Sequence, residues 1–246
     1  MGKSFQILFL IFIELVCFQS CSSEKSIKKE PSVKPLQNIL FIGNSYTYRN
    51  GGVDYHLMQL TKGMKNLASF VTRAAKGKYH LYSHWEDEQT LNLLASKKWD
   101  KIILQEYSSG PIRDSLEFFK YGKLWENKIH SENKKTQLYL YATWGYQGTK
   151  TMVDSLNLKY GALSKIIGGT KVPVGMLWKK LETKINLFDD DGAHPNRMGT
   201  FLNACLFYEY LFEKDVTKTK HKDNLIPLKI QVQLKRWAHE FRIANT

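Results

Sequence analysis

Apolar and amphipathic segments alternate along the chain from about residue 38 onwards. Apolar runs of strand length cover 38–43, 68–74, 101–106, 137–142 and 172–176. Segments with helical spacing lie between them, near 52–65, 87–98, 114–133 and 151–168. Strand and helix in alternation predict a parallel sheet with right-handed crossovers and helices on both of its faces. We therefore expect an α/β fold built on five strands.

Two further helices are predicted to close the chain. Helical spacing relates Met198, Phe201, Leu202, Cys205 and Phe212, and then Ile230, Leu234, Trp237, Ala238 and Phe241. The segment 228–234 also alternates strictly between apolar and polar residues, which is typical of a strand. Pro227 favours the helix, because proline is well placed at a helix start.

The first residues are typical of an export signal rather than of the fold. Lys3 is followed by an apolar run over 7–16, which is too short for a comfortable membrane span. Ser20 and Cys21 then resemble a bacterial lipoprotein box. We predict a lipoprotein signal peptide over 1–20, a lipidated Cys21 with a flexible polar tether over 21–36, and a folded domain over 37–246. An ordinary cleaved signal and an uncleaved anchor remain the alternatives.

Charge and cysteine content narrow the function further. The 246 residues carry a formal net charge of +13, from 36 Lys+Arg against 23 Asp+Glu. The lysines are scattered and accompany no nucleic-acid-binding motif, so nucleic acid is not an expected partner, whereas lipid head groups or anionic polymers remain open. The cluster 214–222 is interpreted as a solvated loop. Of three cysteines, only Cys205 remains in the domain, where we expect it to be buried rather than nucleophilic.

A serine follows the first apolar run. The four residues 39–42 are large and apolar, as expected for a strand buried on both faces, and Gly43 ends the run. Open α/β sheets bind ligands at the carboxyl ends of their strands, so Ser45 lies where a reactive group is expected. If a helix begins there, its free N–H groups also point at the ligand. The alternative is that Gly-Asn-Ser is only a turn.

An aspartate and a histidine lie three residues apart after the fifth apolar run. Asp191 can orient the imidazole of His194 through Nδ1–H, which leaves Nε2 free to accept a serine proton. The alternative is an acidic, calcium-like loop or a surface turn. The adjacent acids 189–191 lack the alternating ligand spacing of a calcium loop, so no metal or cofactor is expected.

These motifs together carry a family resemblance. Gly43-Asn44-Ser45 and Asp191-Gly-Ala-His194-Pro-Asn resemble the SGNH (GDSL-type) hydrolases, in particular the branch with a Gly-Asn-Ser-x-Thr first block found in bacterial exported lipoproteins. The resemblance spans about residues 39–210. It implies a three-layer α/β/α sandwich with a flavodoxin-like parallel five-stranded sheet. It also implies that Ser45 is the nucleophile, His194 the general base and then acid, and Asp191 the group that orients His194.

The resemblance also implies an oxyanion hole, which this chain matches less closely. The family places one donor at the nucleophile, here the Ser45 N–H, and a second at a glycine after strand two, here Gly77. The family commonly has another glycine directly after it, and this chain has Lys78 at that position. The family's third donor is an asparagine, and this chain offers Gln105 instead, with Ser108 as a second candidate. Gln105 is alternatively only a polar residue that ends a strand.

We expect from this a serine esterase anchored in the bacterial cell envelope. Its expected substrates are short-chain acyl esters, most simply acetyl esters, on carbohydrate, or another small ester. Aromatic residues at the predicted strand ends, including Tyr46, Trp144, Tyr146 and Trp178, are candidates for stacking on sugar rings. No long apolar stretch suggests a lipid tunnel. The alternative is a catalytically weak or inactive surface lipoprotein of the same fold that binds glycans.

Overall fold

The computed structural model describes residues 36–245, apart from 63, 65, 66 and 68. The predicted signal peptide, Cys21 and nearly all of the tether lie outside the described residues. Within the described part of the chain, no helix is both long and apolar enough to cross a membrane.

A single sheet of five parallel strands organises the domain. The strands are β1 (Gln37–Gly43), β2 (Ser69–Ala75), β3 (Lys101–Leu104), β4 (Gln137–Tyr141) and β5 (Thr170–Val172). Their order across the sheet is β2-β1-β3-β4-β5, and every neighbouring pair is parallel. The predicted α/β/α architecture with a flavodoxin-like strand order is thereby confirmed.

Strand β1 separates two hydrophobic cores. Successive side chains of a strand point to opposite faces, so Ile39 and Phe41 enter one core while Leu40 and Ile42 enter the other. All four are at most 1% exposed, because neighbouring strands flank β1 and helices cover both faces. This double burial explains the unbroken apolar run that the sequence shows.

Ten α-helices are described, and the longer ones form the two outer layers. They are α1 (Ser45–Tyr48), α2 (Val53–Thr61), α3 (Leu81–Trp85), α4 (Glu88–Ala95), α5 (Gly110–Arg113), α6 (Ser115–Glu132), α7 (Met152–Ile167), α8 (Val174–Leu181), α9 (Arg197–Phe212) and α10 (Leu228–Ile243). One core is covered by α2, α8, α9 and α10, and the other by α3, α4, α6 and α7. Cys205 lies fully buried in α9, as expected.

Side-chain caps define where several helices begin. Asp87 accepts a hydrogen bond from Thr90 N at α4, and Asp114 accepts one from Glu117 N at α6. Asn196 caps α9 in the same way, accepting from Gly199 N at 3.0 Å. Each cap satisfies an N–H group that has no partner within the helix. The cap at Asn196 matters most for the site, because α9 begins shortly after the predicted histidine base.

The structure corrects one predicted strand and decides between two alternatives near the C-terminus. The predicted strand 172–176 ends at Val172, and α8 begins at Val174, because Pro173 has no N–H for a strand ladder. The helix predicted after Pro227 is confirmed, since α10 starts at Leu228, and the alternative of a strand over 228–234 is excluded. The sequence reading also missed the short helices α1, α3 and α5. Segments this short show no hydrophobic periodicity.

Candidate active site

The turn that carries Ser45 joins β1 to α1. Asn44 caps α1 by accepting a hydrogen bond from Tyr46 N at 3.1 Å, so Ser45 is the first helical residue. The N–H of Ser45 has no acceptor among the described residues. Such free N–H groups at a helix start stabilise negative charge. The serine is therefore positioned beside a donor at the carboxyl edge of the central strand.

Gln105 holds this turn from below. Its Oε1 accepts hydrogen bonds from Asn44 N and Thr47 Oγ1, both at 2.9 Å. Its Nε2 donates to Asn44 Oδ1 at 2.9 Å and to Glu106 O at 2.6 Å. Gln105 is fully buried, and both amide hydrogens are engaged. The expectation that Gln105 donates to an oxyanion therefore does not fit this geometry, and its contacts make it a positioning residue for Asn44 and Ser45.

His84 supports the end of β1 from the other core. Its Nε2 lies 2.7 Å from Gly43 O, and its Nδ1 lies 2.8 Å from Thr90 Oγ1. The ring is fully buried, and burial lowers its pKa. His84 thus fixes the carbonyl of Gly43, two residues before Ser45. A Cβ on Gly43 would itself lie 2.5 Å from Gln105 Oε1, so only glycine fits between these supports.

Ser45, His194 and Asp191 meet although 149 residues separate the serine from the histidine. Ser45 Oγ lies 2.8 Å from His194 Nε2, and His194 Nδ1 lies 2.5 Å from Asp191 Oδ2. Asp191 Oδ1 also accepts from the backbone N–H groups of His194 and Ala193, at 2.8 and 3.0 Å. The bond from His194 N, together with the other donors, holds the pKa of Asp191 far below its ordinary range. Asp191 consequently stays a carboxylate that orients the imidazole.

The turn that carries Asp191 and His194 is held by residues whose supporting role the sequence does not predict. Asn50 Nδ2 donates to Pro195 O at 2.7 Å, and Trp144 Nε1 donates to Ala193 O at 2.9 Å. Gln147 N donates to Gly192 O at 2.8 Å. Arg49 Nη2 lies 3.8 Å from Asp191 Oδ2. Each of these contacts joins residues that are far apart in the sequence, so no local sequence pattern predicts it.

A cavity of about 690 Å³ opens beside Ser45, Asp191 and His194. It is lined by Asn44, Ser45, Tyr46, Lys78, Tyr107, Ser108, Tyr146, Gln147, Gly148, Asp190, Asp191, Gly192, Ala193 and His194. Ser108 Oγ and Tyr146 OH form a hydrogen bond of 2.9 Å within this lining. Ala193 is the one aliphatic side chain among the described lining residues. The wall is therefore polar and aromatic.

The loop after β2 meets the cavity at Lys78 rather than at Gly77. Gly77 is exposed, and it is not among the described residues that line the cavity. Lys78 adopts a φ of 64°, the left-handed conformation that a glycine at this place would take without strain. The N–H groups of Gly77 and Lys78 donate to no acceptor in the described part of the chain. Either group is available to a bound molecule.

The aromatic residues expected at the rim are mostly packing groups. Trp144 stacks on Tyr46 at 4.5 Å and on Trp178 at 4.0 Å between ring centroids. All three are at most 3% exposed, so they do not present faces to a sugar. Burial also raises the pKa of Tyr46, whose ring meets His194 edge-on at 5.5 Å. Partly exposed aromatic surface at the cavity comes from Tyr146, one of the aromatic residues expected there, and from Tyr107, which was not among them.

Two of the adjacent acids, Asp189 and Asp191, have partners of their own. Asp189 Oδ1 accepts from Asp190 N at 3.1 Å, and Asp191 is bonded to His194. Among the described residues, Glu209, Asp215 and His239 form a group with metal-ligand spacing. Glu209 Oε1, however, already accepts from Val216 N at 2.7 Å and lies 2.9 Å from His239 Nδ1. These contacts join α9 to α10.

Comparison with known proteins defines the class of fold. No protein-family model and no curated protein sequence matches the chain. Solved structures do match it over most of its length, at low sequence identity. The fold is that of the SGNH, or GDSL-type, hydrolases, to which several of these neighbours are assigned.

Three of these neighbours illustrate the likeness. A DUF4886 family protein from Bacteroides uniformis is 18% identical, with a TM-score of 0.71, and the match covers 86% of this chain and 96% of that one. A protein from Slackia heliotrinireducens, provisionally described as an SGNH hydrolase, is 22% identical with a TM-score of 0.62, covering 72% and 100%. Axe2, an acetylxylan esterase from Geobacillus stearothermophilus, is 14% identical with a TM-score of 0.53, covering 70% and 92%.

Proposed function

We propose that the protein is a serine esterase that hydrolyses short-chain acyl esters, most simply acetyl esters, carried by carbohydrate. The observation that carries this proposal is the continuous hydrogen-bonded chain from Ser45 Oγ through His194 to Asp191. A serine hydroxyl is a weak nucleophile on its own, and a neighbouring base oriented by a carboxylate activates it. The esterase neighbours support the same reaction class.

The residues have distinct roles in the proposed reaction. Ser45 Oγ attacks the ester carbonyl carbon while its proton passes to His194 Nε2. His194 then gives that proton to the alcohol oxygen, the alcohol leaves, and an acyl group remains on Ser45. Water, deprotonated by His194, then attacks the acyl carbon, the bond from that carbon to Ser45 Oγ breaks, and His194 returns the proton to Ser45 Oγ as the carboxylic acid leaves. Asp191 stabilises the imidazolium that forms in both steps.

The negative charge on the carbonyl oxygen requires donors. Ser45 N–H is one, and an N–H of the loop that holds Gly77 and Lys78 is the second. Because the amide of Gln105 is engaged elsewhere, we assign the third donor to Ser108 Oγ, which lines the cavity and is held by Tyr146 OH. This hydroxyl takes the place that the family gives to an asparagine. One such donor typically contributes about 2.7–4 kcal/mol to the transition state.

The cavity supports the choice of substrate. A long acyl chain requires aliphatic walls, and among the described lining residues only Ala193 offers an aliphatic side chain. Hydroxyl, amide and carboxylate groups share the lining with tyrosine rings, and this combination suits a sugar, which has both hydroxyl groups and a ring face. The neighbour Axe2 is an acetylxylan esterase, which supports the same substrate class.

The test is a substrate series on the purified full chain. We expect hydrolysis of p-nitrophenyl acetate and of acetylated xylo-oligosaccharides, with activity falling steeply beyond the butyryl ester. Ser45→Ala and His194→Ala should each abolish turnover. Ser45→Ala should also abolish labelling by a fluorophosphonate probe. A preference for long-chain esters would contradict the substrate. A folded protein that neither hydrolyses esters nor reacts with the probe would favour the alternative of a glycan-binding lipoprotein.

We further propose that the protein is a lipoprotein of the bacterial cell envelope, anchored through Cys21. The support is the signal-like apolar run and the lipobox-like residues before Cys21, which lie outside the described residues. Cys21→Ala should release the protein from membranes and abolish incorporation of a fatty-acid analogue. Unchanged incorporation would assign the lipid to Cys17 or indicate an uncleaved helix.

A further inference from the structure

The start of α10 and the loop before it present apolar side chains to solvent. Leu225 is 73% exposed, Leu228 is 54% exposed and Val232 is 50% exposed. Leu228 and Val232 are four residues apart, so they lie on the same face of the helix. Other apolar residues of α10, such as Leu234 and Phe241, are buried in the core, as expected for an amphipathic helix. The exposed set therefore forms a second apolar stripe that nothing in the described part of the fold covers.

Four exposed cations surround this stripe: Lys220, Lys222, Lys229 and Arg236. None of them forms an ion pair with a group in the described part of the chain. Three of the four, together with Leu228 and Val232, line a single cavity of about 610 Å³. We call these four cations and the three apolar residues the basic face.

The basic face is a fixed surface. Gln231 Nε2 donates to Asp223 O at 2.7 Å and to Ile226 O at 2.6 Å, and Gln231 Oε1 accepts from Asp223 N at 2.8 Å. These bonds fasten the loop before α10 to the helix itself. Asp223, a nearby acid, is buried and accepts from Arg197 Nε, so it does not neutralise the exposed lysines. The same contact ties the loop to the first residue of α9.

The combination of cations and aliphatic side chains indicates which partner fits. A second copy of the chain meeting this face with its own would bring four cations against four. A soluble polyanion would use the cations and leave the aliphatic side chains in water. A bilayer that contains anionic lipids uses both, because the phosphates attract lysine and arginine while the aliphatic side chains enter the boundary between head groups and acyl chains.

We propose that the basic face docks on an anionic lipid bilayer, with Leu225, Leu228 and Val232 inserted among the head groups. This inference goes beyond the esterase activity and does not depend on it. If Cys21 is the anchor, the tether of about 15 residues spans up to about 50 Å when extended, which is comparable to the width of the domain. A flexible tether of that length, as the sequence predicts, would leave the orientation open. The basic face would select it, with the end of α9 nearest the triad turned towards the membrane.

The test is amine footprinting of the full chain, in which a water-soluble acetylating reagent reports lysine exposure by mass spectrometry. Vesicles of phosphatidylcholine with phosphatidylglycerol are compared with vesicles of phosphatidylcholine alone. We expect acetylation of Lys220, Lys222 and Lys229 to slow on the order of tenfold on the anionic vesicles only. Lys134 and Lys135, which precede β4, should react equally in both. An N-terminal anchor holds the protein on either vesicle, so it does not produce this difference.

Matched variants separate docking from charge alone. The double variant Leu228→Gln with Val232→Gln should lose the protection, whereas Leu116→Gln with Leu158→Gln should keep it. Leu116 and Leu158 are at least as exposed, at 83% and 72%, but lie on α6 and α7 over the other core. Equal protection on neutral vesicles, or no protection on anionic ones, would overturn the proposal. Two other results would also overturn it. One is equal protection of the parent protein and the glutamine variant by soluble polygalacturonate, and the other is protection that rises with protein concentration in the absence of vesicles.

Discussion

Gln105 shows how one buried side chain organises a reactive one. Its amide exchanges a pair of hydrogen bonds with Asn44, the residue before Ser45, and also accepts from Thr47. The sequence places a polar residue at the end of β3, and that much is predictable. Its partners are not, because they come from the end of β1, about sixty residues earlier along the chain. Family resemblance assigns the amide to the oxyanion, whereas its actual contacts assign it to the turn.

Gln105→Glu tests this role directly. The new carboxylate would keep the shape and the acceptor, but it would face Asn44 Oδ1 and Glu106 O with an oxygen instead of a donor. We expect the free energy of unfolding to fall by about 1–3 kcal/mol for each polar group left without a partner. Gln105→Ala should lower the free energy of unfolding by a similar amount. Urea denaturation measures both. A large loss of kcat without any loss of stability would instead return Gln105 to the oxyanion hole.

Ser108 carries the complementary prediction. Removing an oxyanion donor should lower kcat on the order of a hundredfold while changing KM little, because the bond forms mainly in the transition state. Ser108→Ala should show this split, and Tyr146→Phe should show a weaker form of it. Ser109→Ala is the matched control, since Ser109 Oγ is buried without a partner in the described structure. If Ser108→Ala and Ser109→Ala have the same kcat, Ser108 is not a donor.

At the scale of elements, the turn between α1 and α2 joins the two halves of the site. Asn50 adopts a φ of 53° and reaches across to Pro195 O, one residue beyond His194. Its backbone conformation suits asparagine or glycine, and its side chain supplies the bridge. Two substitutions therefore separate the two contributions.

Asn50→Gly keeps the left-handed backbone and removes only the bridge. We expect stability to fall by about 1 kcal/mol and kcat to fall, since the turn with His194 loses a tether. Asn50→Ala should destabilise by about 1–2 kcal/mol more, because alanine disfavours positive φ. Thermal melts and kcat on p-nitrophenyl acetate measure these effects. Full activity in Asn50→Gly would show that Trp144 and Gln147 suffice to hold the turn.

The elements also show where prediction from sequence succeeds. Long apolar runs and helical spacing locate β1 to β4 and the helices α2, α4, α6, α7, α9 and α10 to within a few residues. The β5–α8 junction is missed because a short apolar run fits a strand and a helix equally well. Only Pro173 marks the point where β5 ends and α8 begins. Short helices such as α1 depend on capping by Asn44. Their existence is set by tertiary contacts rather than by periodicity.

At the scale of the whole molecule, buried histidines make stability depend on pH. Burial lowers the pKa of His56, His84 and His221, and burial together with the neighbouring His56 and Lys235 brings the pKa of His221 to about 4. In the unfolded chain these groups bind protons near pH 6.5. Stability should therefore be lost as pH falls from about 6.5 towards about 4. Glu106 raises the pKa of His80, so His80 acts in the opposite sense.

Urea midpoints at about pH 7.5 and about pH 5 check this expectation. Because carboxyl groups titrate in the same region, the informative quantity is the difference between variants. His221→Gln should lose less stability between the two pH values than the parent protein does. An equal loss in both proteins would mean that His221 does not remain neutral in the folded state.

The chain order of the site residues also limits when the protein can act. Ser45 follows the first strand, whereas Asp191 and His194 come after the fifth. During synthesis from the N-terminus, Ser45 emerges long before His194, and the turn that holds His194 precedes α9 directly. In the proposed reaction, a truncated chain would therefore carry Ser45 without the base that activates it. Ester hydrolysis would report that nearly the whole domain has been made and folded.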